Sequence, residues 1–130
     1  MPDQPPVMSE RHLPQAVPIE AYGNGGFRFG DMSHRGSILC LPAGVWAWPV
    51  TRPEDITEDL LAPVFAAAGD VTLFFLGTGR MPWTMPEALR WRFHEKQIGI
   101  EVTLTGRAIT TYNILLGEGR KVAAGLIAVT

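Results

Sequence analysis

Cysteine is nearly absent from this chain: Cys40 stands alone among 130 residues. A lone thiol excludes an internal disulfide and leaves too few sulfur ligands for a structural zinc site. A surplus of positive charge is missing as well, since 11 Lys and Arg face 13 Asp and Glu for a net charge of −2. That balance supplies no electrostatic reason to bind nucleic acid or an anionic membrane. No apolar stretch approaches the roughly 20 residues that cross a bilayer, so no direct membrane insertion is expected. The opening stretch, MPDQPPVMSERHLPQAVP, has neither the apolar centre of a signal peptide nor the Arg/Ser-rich pattern of a transit peptide. The expectation is a soluble, cytoplasmic protein.

Reactive constellations are scarce too. His12 and His94 fall in an amino-terminal arm and on a solvated helix face, so the three histidines do not suggest a metal centre. Asp31, Ser33 and His34 have the residue types of a hydrolase triad. In an extended chain, however, neighbours at 33 and 34 point to opposite faces, and no acyl-transfer motif surrounds them. No catalytic residue, cofactor or metal is expected.

What is present fits one domain, and a chain of this length buries roughly two thirds of its unfolded surface. Four prolines before Val17 make residues 1–17 a flexible Pro-rich arm, leaving 18–130 as a single α/β domain. The stretch from Val71 to Arg120 organises the rest. Its opening, VTLFFLGTG, carries an unbroken apolar run from Val71 to Leu76 that stops at Gly77-Thr78-Gly79. Such a run reads as a strand buried on both faces, inside a parallel or mixed sheet. The loop leaving it lies where open α/β sheets place ligands.

Upstream, 19–22 and 27–29 flank Gly23-Asn24-Gly25-Gly26 and predict a β-hairpin, because Asn-Gly supplies the positive φ values of tight turns. Segments 37–41 and 45–48, parted by Pro42-Ala43-Gly44, are one interrupted strand or two, with Trp46 and Trp48 on one face, for packing against a helix or, as the lesser alternative, for an exposed partner surface. A first helix lies within 51–68, capped by Asp55 with Glu58 or by Thr57. Pro63 lacks a backbone donor, which places the regular helix near Pro63 with a looser turn before it. Thr84 and Glu87 have capping-box spacing for a second helix reaching about Gln97, with Met85, Leu89 and Phe93 inward and Gly99 as its stop. Alternation in 100–104 predicts a strand. Thr105 caps a third helix that turns Ala108, Ile109, Tyr112, Leu115 and Leu116 to one side, with Thr110 and Asn113 opposite. Residues 122–129 form a last, interior strand. Alternating strands and helices imply a mixed, largely parallel sheet.

Two candidate sites emerge. Gly77-Thr78-Gly79 can turn backbone N–H groups toward an anion, although no P-loop lysine or dinucleotide fingerprint accompanies it. Thr111, Tyr112 and Asn113 with Glu118 and Arg120 gather polar groups near the third helix; capping, a tethered tyrosine and a surface ion pair are the simpler account of them. Met81 and Trp83 form the second candidate, as large apolar residues in a loop marked by Pro82 and Pro86.

LFFLGTG (73–79), GIEVTLTGRAITTYNILLGEGRKVAAGLI (99–127) and IEAYGNGGFRFG (19–30) together resemble one family of small domains. It is a family of formerly unknown function that includes a mitochondrial NADH dehydrogenase (complex I) assembly factor, and the resemblance spans about residues 18–129. It implies a three-layer α/β domain with helices flanking the sheet and an amino-terminal β-hairpin as an additional layer. It also implies a non-enzymatic role in assembly or scaffolding through protein contacts, in complex I or membrane-protein biogenesis. The expected partner is an assembly factor or membrane-complex subunit, and the protein itself a monomer or weak homo-oligomer. By motif, the resemblance carries a shallow pocket around Gly77, Thr78, Gly79, Thr105, Ala108, Thr111, Tyr112, Asn113, Glu118 and Arg120. The alternative is an enzyme or small-ligand binder using that pocket.

Overall fold

The computed structural model describes residues 11–13 and 15–130. Most of the expected 1–17 arm lies outside the described residues. Within it, β1 (Arg11–Leu13) is a short strand paired antiparallel with β6 (Gly44–Ala47). The main sheet has six strands in the order β1, β6, β5 (Ile38–Leu41), β9 (Val122–Leu126), β7 (Leu73–Gly77) and β8 (Gly99–Thr103). A second, three-stranded antiparallel sheet joins β2 (Ala21–Gly23), β3 (Gly26–Phe29) and β4 (Met32–Arg35).

Alternation along the strands divides the interior into two layers. Phe74 and Leu76 of β7 and Leu39 and Leu41 of β5 face α1 (Glu58–Ala66) and α2 (Glu87–Glu95), meeting Leu61, Val64, Leu89 and Phe93. Phe93 stacks on Phe74 with centroids 5.4 Å apart and takes Phe65 edge-on at 4.9 Å. Phe75, Ile38, Cys40 and Leu126 face the other way, onto α3 (Thr105–Gly117) and the small sheet, with Ala108, Ile109, Tyr112, Phe27 and Phe29. The result is three layers with β7 and β9 in the middle. Parallel pairing is confined to β9, β7 and β8, while β5, β6 and β1 add antiparallel strands. The sheet is therefore less parallel than the helix–strand alternation implied, because its first half is built from hairpins.

Several local expectations are corrected by tertiary contacts. The hairpin turn is as expected, with Asn24 at φ 51° and Gly25 at φ 80°. A third strand, β4, follows a second turn at Gly30 and Asp31, also at positive φ. Helix α1 starts at Thr57, whose hydroxyl accepts from the Leu60 N–H at 3.3 Å, and runs through Pro63. The Trp48 indole donates to the Leu60 carbonyl at 3.0 Å and steadies the turn that Pro63 deprives of a bond. Thr84 does not cap α2, which begins after Pro86 with no side-chain cap. Its stop is Gln97 at φ 58°, with the Ile98 N–H reaching the Phe93 carbonyl at 3.0 Å, a Schellman ending in which Gly99 already belongs to β8.

Candidate functional site at the carboxyl end of the central strand

Strand β7 ends at Gly77, and α3 begins directly against it. A Cβ on Gly77 would lie 2.8 Å from the Thr105 Cα and 3.1 Å from a Leu126 methyl, so only glycine lets helix and strand approach this closely. Thr105 was expected to cap its helix. Instead its hydroxyl accepts from the Gly79 N–H at 2.9 Å and donates to the Ile127 carbonyl at 2.8 Å. Its own N–H donates to the Gly79 carbonyl at 3.1 Å, and the Thr78 N–H donates to the Thr103 carbonyl at 2.8 Å. Thr105 is fully buried, and Gly79 takes φ +94° to close the turn. The loop is a latch joining β7, β8, β9 and α3. Its Thr78 and Gly79 N–H groups are consumed internally, which leaves them nothing to offer an anion.

Beyond the latch the chain surfaces at Arg80, which separates two open clefts. One, of about 740 Å³, is lined by Tyr22, Gly79, Arg80, Arg107, Thr110 and Thr111 among others. Among the described residues, no acidic side chain lines it. The other, of about 400 Å³, runs past Arg52, Thr78, Met81, Pro82 and Trp83 to Thr130. The Arg80 guanidinium donates to the Thr130 carbonyl. Met81 is 73% exposed, while Trp83 is half-buried against the helix-side core.

The expected pocket residues do not form one constellation. Gly79 and Thr111 border the larger cleft, Thr78 borders the smaller one, and Gly77 and Thr105 are buried in the latch. Tyr112 is fully buried in the interior. Its hydroxyl has no oxygen or nitrogen partner among the described residues and faces the Cys40 thiol instead. Burial pushes the Tyr112 phenol up, and the neighbouring thiol adds to the shift. Burial likewise pushes the Cys40 thiol up to about 12, offset in part by its contact with Tyr112. Asn113 does not point to solvent; its side-chain amide accepts from the Ile19 N–H at 2.9 Å and donates to the Ile19 carbonyl at 2.8 Å. That clip fastens α3 to the segment entering the small sheet. Glu118 and Arg120 are exposed at the far end of α3, about 20 Å from its start for a helix of 13 residues.

Sequence reasoning passed over Arg107, Tyr22 and Thr110. Arg80 and Arg107 each directly follow a Thr-Gly pair, Thr78-Gly79 in the loop after β7 and Thr105-Gly106 in the first turn of α3, and that repeated Thr-Gly-Arg was the available signal. Ser33 and His34 lie adjacent on β4, and Asp31 sits in the turn before it. Among the described residues, no group of three or more His, Cys, Asp or Glu side chains comes together to hold a metal ion. No helix among them is long and apolar enough to cross a membrane.

A mixed sheet between a helical layer and a layer of α3 with a small antiparallel sheet, latched through a Gly-Thr-Gly loop, defines the class: a three-layer α/β domain. The chain belongs to the family described as protein of unknown function (DUF498/DUF598), which matches residues 19–127. It is similar to a chain of known structure, described as an outer membrane protein from Bartonella henselae, with 45% identity and a TM-score of 0.87 over 92% of this chain and 100% of that one. An uncharacterised protein of Rhodobacter capsulatus is 35% identical over 86% of this chain and 85% of its own length. Human NADH dehydrogenase [ubiquinone] 1 alpha subcomplex assembly factor 3 is 30% identical over 91% of this chain, which spans only 64% of that protein.

Proposed function

We propose that the protein is a non-catalytic assembly or scaffolding factor that works through protein–protein contacts in the cytoplasm, in the biogenesis of respiratory complex I or of another membrane complex. Its relatives include proteins named as assembly factors of NADH dehydrogenase, which supports an assembly role. The observation that carries the contact surface is the rim at Met81 and Trp83. A methionine left 73% exposed beside a half-buried tryptophan, on a loop held by a rigid latch, has the composition of an interface anchor. Thr78 fixes the loop by donating its hydroxyl to the Met81 carbonyl at 2.7 Å, so little order has to be imposed on binding. The test is a deletion strain complemented with the wild type or with Met81→Ala/Trp83→Ala, with assembled complex I read on native gels. Wild type restores assembly and the variant does not; full restoration by an equally abundant variant contradicts the proposal.

A second reading is supported by the larger cleft, where Arg80, Arg107 and the hydroxyls of Tyr22, Thr110 and Thr111 surround an open space that no Asp or Glu side chain lines among the described residues. In that reading the protein holds an anionic small ligand. Calorimetric titration with inorganic phosphate and with dicarboxylates, repeated on Arg107→Ala, decides it.

A further inference from the structure

The two long edges of the main sheet are finished differently. On one side the edge strand is β1, which covers β6 and, at three residues, is too short to template a long pairing. On the other, β8 pairs with β7 alone among the described residues. The parallel register sets Gly99, Glu101 and Thr103 opposite Leu73, Phe75 and Gly77, with the Gly99 N–H on the Thr72 carbonyl and the Thr78 N–H on the Thr103 carbonyl. In that ladder residues 99, 101 and 103 spend their backbone groups inward. The N–H and C=O groups of Ile100 and Val102 therefore face outward, with no strand beside them among the described residues. An edge of this kind is a template for another strand unless something blunts it.

The one charged residue on β8 is Glu101, exposed between the two outward-facing positions. A second copy laid antiparallel uses all four outward groups only when Ile100 of each chain pairs with Val102 of the other. That register places Glu101 against Glu101 at the closer, non-hydrogen-bonded site, with Cα atoms about 4.5 Å apart. Like charges directly opposite destabilise such a pair, whereas an opposite charge stabilises it. The edge is thus set against its own copy and toward a cationic strand. It also ends beside the Met81 loop, since Thr103 and Thr78 share a hydrogen bond.

We propose that the outer edge of β8 docks an extended segment of a partner protein, antiparallel, through Ile100 and Val102 and with a Lys or Arg across from Glu101. This deepens the partner-binding reading above and rests on it. The test titrates the full chain, labelled for amide NMR, with the blocked peptides Thr-Val-Lys-Val-Thr and Thr-Val-Glu-Val-Thr at millimolar concentration. The lysine peptide shifts the Ile100 and Val102 amides saturably and slows their hydrogen exchange, and it binds roughly five- to tenfold more tightly than the glutamate peptide. In Glu101→Lys, whose side chain is exposed and whose fold the same spectra verify, the preference reverses. Equal response to both peptides, no response of Ile100 and Val102, or concentration-dependent self-association through those two amides overturns the proposal. Because none of these readouts involves Met81 or Trp83, failure here is distinguishable from failure of the rim.

Discussion

The loop leaving β7 has two halves that obey different rules. Residues 77–79 are buried, close-packed and hydrogen-bonded to three other elements, whereas residues 80–83 stand at the surface and carry Arg80, Met81 and Trp83. The first half is explained by the fold: the Thr78 and Gly79 N–H groups, the Thr78 hydroxyl and the Gly77 and Gly79 carbonyls all have partners within the chain. The second half contains a large apolar side chain that the fold does not use. The comparison teaches that the most motif-like residues of this loop, the Gly-Thr-Gly run, serve stability, and that candidate function begins one residue later.

The largest expected effect is on the buried half. Gly77→Val drives a branched side chain into the Thr105 backbone and should cost about 3 kcal/mol or more, read as a lowered urea midpoint at unchanged slope. Gly79→Val forces a β-branched residue to φ +94° and should cost about 1–3 kcal/mol. Thr105→Val keeps the shape but strands the Gly79 N–H and the Ile127 carbonyl, for about 2–3 kcal/mol. If either glycine variant melted like wild type, the latch would not be what holds this end of the sheet.

The exposed half should behave inversely. Met81→Ala should change stability by less than about 0.5 kcal/mol. Trp83→Ala should cost about 1 kcal/mol, because its ring packs partly on the core. Together they should weaken partner affinity by about 2 kcal/mol, some thirtyfold by titration.

Near neutral pH the smallest effect belongs to the buried Cys40–Tyr112 pair. With only a thiol facing its hydroxyl, Tyr112→Phe should alter stability by no more than about 0.5 kcal/mol near pH 7. The pair does shape alkaline stability. Cys40 has its folded value raised from 9.0 to about 12, so the unfolded chain loses this proton first. Stability is full below pH 9 and falls as pH rises toward 12, by up to about 1.4 kcal/mol per pH unit. Cys40→Ala removes that thiol contribution to the slope between pH 9 and 12 in urea titrations, which sharpens the assignment. Retention of the full slope would point elsewhere.

Much of the architecture was legible because it rests on periodicity. The doubly buried run before Gly77, the inner stripe of Met85, Leu89 and Phe93, and the Asn24-Gly25 turn all state their environment locally. What stayed hidden depends on partners distant in sequence. Thr105 looks like a helix cap until Gly79 and Ile127 arrive, and Asn113 looks solvent-facing until Ile19 claims it across 94 residues. The pocket grouping mixed both ends of α3 because helical neighbours in sequence are separated along an axis of 1.5 Å per residue. The strand β4 was missed because Met32-Ser33-His34-Arg35 buries only half of each inward side chain and so shows no apolar alternation.

The central claim is that the loop divides after Gly79 into a part that folds and a part that binds. Quantitative affinity capture from cells expressing wild type or Met81→Glu, at equal abundance and with equal melting temperature, tests it most directly. Subunits or assembly factors of a membrane complex should be enriched by the wild type and fall at least about tenfold with Met81→Glu. Capture of the same proteins at the same level by both forms would contradict it.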